Sequence, residues 1–389
     1  MTITIHRGTH QIGGCITEIK SNHARIIIDM GEELPSTMPK TKIEIEGVTT
    51  SEADCNGVFI THYHGDHVGL YGEILSDVPV FMGELAKKIF LKLKTRCRDK
   101  NIASIERFTT FRQAQRIEIG DMVITPLRVD HSAFDAYMFL IECEGKKILH
   151  TGDFRTHGFT GKAALPTLEN WVKNVDVLIT EGTMLSRNDD AVITERELQQ
   201  QARKLLKENK YVFVMCSSTN IDRIAALHKA MPPMGKYFLC DDYQKKVLDT
   251  VSQYAKSPLY KFEKVHTYGA NLLEKMRKQG FCMLVRSDSS RPYFKPIMAK
   301  FPDSLFVYSM WKGYLDGAAK IEAISTMVPS DYVYLHTSGH ATREAIRKVC
   351  ETVRPKTIIP IHGVMPEAFK DLGVDGEVKV LDDGERFVI

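Results

Sequence analysis

Val58-Phe59-Ile60-Thr61-His62-Tyr63-His64-Gly65-Asp66-His67 is the stretch from which the rest of the chain is read. Its apolar opening has the character of a buried strand. It empties into a turn holding three histidines and an aspartate. Borderline-soft divalent metals prefer imidazole nitrogen with some carboxylate oxygen. Along an extended segment His62 and His64 point to the same side, because side chains repeat every two residues. Gly65 lets the backbone turn sharply, so Asp66 and His67 can face a second position a few ångströms away. One histidine alone is usually structural; three with an aspartate at this spacing mark a two-metal site.

The 389 residues suffice for two domains, and a hydrophobic fraction of 43% is ordinary for a globular chain. No apolar run approaches a transmembrane helix, so no membrane partner is expected. The first residues, Met1-Thr2-Ile3-Thr4-Ile5-His6, alternate like a strand and lack the regions of a secretory signal. Eight cysteines are scattered without a CxxC pair. Several lie in apolar runs, where they act as small hydrophobes, and a reducing cytoplasm is the expected location. The net charge of +3 is uneven: residues 186–329 carry 23 Lys and Arg against 15 Asp and Glu, and the remainder is acidic. A basic middle segment fits a polyanion held against it, or lysines that serve solubility.

Strands are expected at residues 2–6, 15–20 and 24–28. The last ends at Asp29, which either caps the following turn or braces the metal loop. Short and long helices are expected at 70–75 and 83–98, the latter with a solvated basic face. Strands follow at 116–118, 122–129, 136–142, 147–150 and 175–180. Polar, metal-competent residues recur where strands end: His131 after 122–129, Asp153 after 147–150, Glu181 after 175–180, His336 and His340 after 332–335, and His362 after 357–361. In layered α/β folds strand ends form one rim, and sites are built there. The middle segment alternates helices (195–208, 220–231, 241–254) with strands (211–215, 237–240, 281–285, 305–308), which predicts a parallel sheet with covering helices.

With these residues in place, the sequence resembles the metallo-β-lactamase superfamily. Its signature is matched by His62, His64, Asp66 and His67, followed in order by His131 and Asp153. It further resembles the β-CASP nucleases of ribonuclease J type, with Glu181 at the acidic motif, His340 in Ser-Gly-His-Ala and His362 in Pro-Ile-His-Gly. The resemblance implies an α/β fold, an αββα metallo-β-lactamase sandwich with an inserted α/β β-CASP domain. Its parts would be residues 1–189, the insert 190–325 and a return segment 326–389. Members of this type usually continue into a C-terminal domain that assists oligomerisation, which these 389 residues do not include. The glycine- and glutamine-rich turn of the type is also missing from residues 285–291.

The resemblance also implies the chemistry. His62, His64 and His131 would bind one zinc; Asp66, His67 and His362 the other; and Asp153 would bridge both. That makes two Zn2+ per chain, with Mn2+ or Mg2+ as substitutes. The pair would supply hydroxide at neutral pH for attack on a phosphodiester. His340, kept charged by Glu181, would protonate the leaving oxygen or grip the phosphate, unless the two form only a structural hydrogen bond. Histidine at the position of His362 accompanies RNA-processing members, so single-stranded RNA is the expected substrate, with DNA as the alternative. Ser217, Ser218, Thr219 and Asn220 precede a helix and either contact phosphate or serve as an ordinary N-cap. Ser338 and Gly339 would act beside His340, with Asp29 and His336 in supporting positions. The aromatic and basic residues 308–314 either stack on bases or pack internally. A small-ester or thioester hydrolase and a non-catalytic nucleic-acid binder remain as other classes. Exonuclease and endonuclease modes are both open, as is a homo-oligomer.

Overall fold

The computed structural model describes residues 1–34, 42–187, 192–232, 235–286, 294–317 and 320–389. The chain divides into two compact units, Met1–Ala191 with Gly339–Ile389, and Val192–Ser338.

The first unit contains two seven-stranded sheets. One is ordered Arg386–Val388, Thr2–Arg7, Ile16–Lys20, Arg25–Ile28, Gly57–Ile60, Val80–Gly83, Thr109–Phe111. The other runs Glu377–Val378, Thr357–Ile361, Val177–Glu181, Lys146–His150, Ala136–Cys143, Met122–Val129, Ile117–Ile119. Alternation along the strands explains how they stack. Ile3, Ile5, Ile26, Ile28 and Phe59 of the first sheet share one core with Ile124, Phe139, Ile141, Ile148, Ile179 and Ile359 of the second. The opposite parity of the second sheet (Leu127, Met138, Leu140, Leu149, Leu178, Ile358) packs against Ala345, Ile346, Val349 and Val353 of the helix Arg343–Val353. Those four fall on one stripe at helical spacing. Thr342 caps that helix by accepting from the N–H of Ala345. On the first sheet's side, Glu84–Cys97 buries Leu85, Ala86, Ile89 and Phe90. The result is the expected sandwich.

The second unit is a parallel six-stranded sheet: Val265–Thr267, Tyr237–Cys240, Phe281–Val285, Tyr211–Met215, Leu305–Tyr308, Val333–Tyr334. Glu195–Glu208, Ile221–Ala230 and Asp242–Tyr254 are its longer helices. The first begins with a complete capping box between Thr194 and Glu197.

Some expected boundaries move. Residues 326–338, assigned by sequence to the return segment, belong to the second unit, because Val333–Tyr334 adds to its sheet beside Leu305–Tyr308. Periodicity cannot say which sheet a two-residue strand joins. The helix expected at 70–75 is a single 3-10 turn, Tyr71–Glu73, preceded by a one-turn helix Gly65–Val68 that carries Asp66 and His67. Tyr308 of the aromatic segment packs edge to face with Tyr332 within the second unit. Residues 287–291 of the expected turn lie outside the described residues.

Candidate metal centre

Six strand ends of the first unit supply the site. Asp29 follows Arg25–Ile28, His62 follows Gly57–Ile60, His131 follows Met122–Val129, Asp153 follows Lys146–His150, Glu181 ends Val177–Glu181 and His362 follows Thr357–Ile361. Arg25–Ile28 runs parallel to Gly57–Ile60, and Lys146–His150, Val177–Glu181 and Thr357–Ile361 are parallel to one another. Their carboxyl ends therefore lie on one rim within each sheet.

The hub is Asp153, whose Oδ2 lies 3.3 Å from His67 Nε2, 3.4 Å from His340 Nδ1, 3.7 Å from His362 Nε2, and 3.9 Å from both His62 Nε2 and His131 Nε2. His131 Nε2 is 3.2 Å from His64 Nδ1, and His362 Nε2 is 3.2 Å from Asp66 Oδ2. Donor atoms of His62, His64 and His131 lie within 4.8 Å of one another, as do those of His62, His67 and Asp153.

Three of the rings are held through their other nitrogen. Asp29 Oδ2 accepts from Nδ1–H of His67 at 2.7 Å, while its Oδ1 accepts from the N–H of Thr61 at 2.7 Å. The carbonyl of Gly339 accepts from Nδ1–H of His131 at 2.7 Å. Thr183 Oγ1 lies 2.7 Å from Nδ1 of His362 and donates to the His362 carbonyl at 3.0 Å. Asp29 and His362 both hold left-handed backbone conformations, at φ 63° and 53°. Such strain concentrates at functional sites, where surrounding bonds over-determine it.

The electrostatics separate the rings. Burial, reinforced by the neighbouring histidines, holds His62 well below the usual histidine range, and burial brings His64 to about 4. His131 is likewise lowered by burial, against the pull of Asp153. These three are neutral donors at pH 7. Burial disfavours the charged form of His340 too, but Glu181 and Asp153 outweigh it and raise its pKa. Glu181 Oε2 accepts from Nδ1–H of His340 at 3.0 Å; its Oε1 accepts from the N–H groups of Phe154 and Ala341 at 3.0 and 3.2 Å.

The residues fit a metal. His62 Nε2, His67 Nε2 and Asp153 Oδ1 are buried polar atoms without a hydrogen-bond partner. Buried polar atoms are normally satisfied, and three orphans turned toward one place, among donors of nitrogen and oxygen, suit divalent cations.

Not every sequence-predicted residue lies in this unit. Ser217, Ser218, Thr219, Asn220, His336 and Ser338 belong to the second unit. There Asn220 caps Ile221–Ala230, its Oδ1 accepting from the N–H of Arg223 at 3.1 Å, and the Ser218 carbonyl accepts from Gln244 Nε2 at 2.8 Å. His336 Nδ1 lies 3.4 Å from Arg223 Nη1. Sequence reasoning missed Thr183, the ion pair of Arg155 with Asp130, and Cys15. The last follows the glycine pair Gly13-Gly14, the available sequence signal for a specially shaped turn, and both glycines hold positive φ, at 81° and 70°.

A two-sheet sandwich that gathers histidines and aspartates at its strand ends defines a metallo-hydrolase type of α/β protein. Residues 24–214 match the family model "Beta-lactamase superfamily domain", and 329–378 match "Zn-dependent metallo-hydrolase RNA specificity domain". Similar curated proteins include ribonuclease J of Helicobacter pylori, 24% identical over 93% of this chain and 56% of the relative. Ribonuclease J of Mycoplasma genitalium is 23% identical (92% and 66%), and that of Mycobacterium tuberculosis 24% (93% and 69%). The chain thus spans little more than half the length of the Helicobacter relative. A protein of unknown function from Enterococcus faecalis V583, known from a crystal structure, shares the fold with TM-score 0.81 at 22% identity, over 100% of this chain and 99% of that one. By these matches the chain is similar to the metallo-β-lactamase superfamily and, within it, to proteins of the ribonuclease J type. Among the described residues no helix is long and apolar enough to cross a membrane.

Proposed function

We propose that this chain is a metal-dependent phosphodiesterase that cleaves single-stranded RNA. The observation that carries this is Asp153, one carboxylate oxygen within 3.9 Å of ring nitrogens from five histidines, beside three orphaned buried polar atoms. The family model that names an RNA specificity domain, and relatives named ribonuclease J, favour RNA over a small ester.

His62, His64 and His131 would hold one cation; Asp66, His67 and His362 the second; Asp153 both. Two zinc ions bound there would acidify a water and neutralise charge building on the phosphoryl oxygens. The protein's own contribution is orientation: Asp29, Gly339 and Thr183 lock the rings of His67, His131 and His362 with one nitrogen turned inward. Glu181 takes the Nδ1–H of His340. The Nε2–H is then left for the departing ribose oxygen as the phosphorus–oxygen bond breaks. In the second unit, Ser217, Ser218 and Thr219 precede a helix N-terminus, a position suited to phosphate.

The test is a time course on end-labelled single-stranded RNA and DNA oligonucleotides of one sequence, with metal content measured on the same sample. RNA cleavage with about two zinc equivalents per chain is expected. DNA cleavage alone would move the substrate to the other nucleic acid, and neither cleaved in a metal-loaded sample would end the proposal.

A further inference from the structure

Sequence alone places Cys15 at the start of the strand expected at residues 15–20. In the structure its Sγ and one ring nitrogen each of His67 and His362 lie within 4.8 Å of one another, and all three residues are buried. The backbone ties Cys15 to the metal loop itself. Its N–H donates to the Asp66 carbonyl at 3.1 Å, and its carbonyl accepts from the N–H of Gly31 at 3.0 Å. Arg7 secures the carbonyls on either side, donating from Nε to Gly14 at 3.0 Å and from Nη2 to Gly31 at 2.5 Å.

The sulfur rests on Gly8, where a Cβ would come within 3.3 Å of Sγ. The Gly8 carbonyl in turn accepts from the N–H of His362 at 2.7 Å. One glycine therefore makes room for the sulfur and fixes the histidine beside it. A second, independent feature is His67 Nε2, buried without a hydrogen-bond partner while Asp29 occupies Nδ1. With Nδ1 held by Asp29, the ring keeps Nε2 turned inward, 3.3 Å from Asp153 Oδ2, where a divalent cation would be its partner.

We propose that Cys15 is a thiolate ligand to a divalent cation on the Asp66–His67–His362 side of the centre, and that its sulfur makes that position prefer zinc over manganese or magnesium. The proposal rests on the metal centre described under the proposed function and adds a donor of another class to it. Thiolate selects zinc, whereas carboxylate and water suit manganese and magnesium. As the sulfur–metal bond forms, the thiol proton passes to solvent and nothing is oxidised or reduced. Without a cation, burial first and then the carboxylates of Asp153, Asp29 and Asp66 keep Cys15 a neutral thiol. A divalent cation inverts that balance, since a coordinating thiol is deprotonated outright.

The experiment uses the full chain loaded with cobalt(II) in a Cys97→Ser background, which removes the exposed thiol. Visible d–d bands report cobalt in the site, and a near-ultraviolet charge-transfer band reports sulfur on it. Both bands are expected. Adding Cys15→Ser should keep the visible bands, abolish the charge-transfer band and lower the preference for zinc in an equimolar zinc–manganese mixture by about tenfold or more. Visible bands without the charge-transfer band, or a band unchanged by Cys15→Ser, would overturn the thiolate ligand and leave the two-metal centre standing. Absence of both bands would overturn the two together. If Cys15→Ser does not fold, the spectrum of the parent protein decides alone.

Discussion

Arg155 donates through Nε to Oδ1 of Asp130 at 2.8 Å, and both side chains are buried. The Arg155 N–H also donates to the Asp130 carbonyl at 2.7 Å, and the N–H of Thr160 to Asp130 Oδ2 at 3.0 Å. Asp130 precedes His131 and Arg155 follows Asp153 by two residues, so this pair rivets together the two loops that carry His131 and Asp153. Removing one partner of a buried pair strands the other charge, at a cost of about 3–5 kcal/mol. Asp130→Ala is expected to lose that much in denaturant unfolding of the metal-free protein. A loss below about 1 kcal/mol would show that the pair carries little of the loop structure.

Thr183 and Asp29 set ring orientation without facing the metal position themselves. Thr183→Val removes the partner of His362 Nδ1, and Asp29→Asn replaces the carboxylate that accepts from His67. Each is expected to weaken zinc binding by about 10–100-fold, measured by competition with a coloured chelator. Unchanged affinity in both variants would mean that the rings are held by packing alone.

His340 and Glu181 should separate chemistry from metal binding. His340→Ala is expected to reduce RNA cleavage by about 10²–10⁴-fold while metal content stays at the parent value. Glu181→Gln removes the negative charge that raises the pKa of His340. The alkaline limb of the cleavage–pH profile should therefore move to lower pH. A profile that keeps its shape in Glu181→Gln would contradict a proton-donating His340.

Gly31 marks a close approach of three backbone segments. A Cβ there would sit 1.8 Å from the Asp66 carbonyl oxygen and 2.8 Å from the Cys15 nitrogen. Backbone cannot retreat as a flexible side chain can. Gly31→Ala is expected to destabilise the protein by about 3 kcal/mol and to lower its zinc content, read by thermal melting and metal analysis. A variant with parent-like melting and zinc content would refute the close contact.

Away from the centre, Glu18 gives a pH signature of folding. Burial pushes its pKa up, but hydrogen bonds from His6 and Arg25 outweigh this and bring it from 4.5 to about 2. A depressed carboxylate contributes stability that is present above the unfolded pKa and lost as pH falls through the folded one. Between pH 4.5 and about 2 the parent should therefore lose about 2–3 kcal/mol from this group. Glu18→Gln should be less stable than the parent at pH 6, with the difference closing toward pH 2. Parallel stability curves for the two proteins across that window would argue against it.

Much of the centre was legible because its donors lie close in sequence or at strand ends. His62, His64, Asp66 and His67 are read from a two-residue period and one glycine turn; His131, Asp153, Glu181 and His362 from apolar runs that stop at a polar residue. Alternation marked the strands that carry Ile3, Ile5, Ile26 and Ile28, whereas the sandwich they pack into was expected from the family resemblance. The resemblance to ribonuclease J-type chains supplied the pairing of ligands, which spacing by itself does not contain.

Other features depend on encounters between distant residues, and no local period encodes them. Thr183 meets His362 across 179 positions, His131 meets Gly339 across 208, and Cys15 reaches the metal loop only because Gly8 and Gly31 allow backbones to touch. The assignment of Val333–Tyr334 to the second sheet is of the same kind. Local sequence determines which residues can donate and which segments extend. Only the packed sheets decide which ring nitrogen faces inward, because that depends on a hydrogen-bond partner brought from elsewhere in the chain.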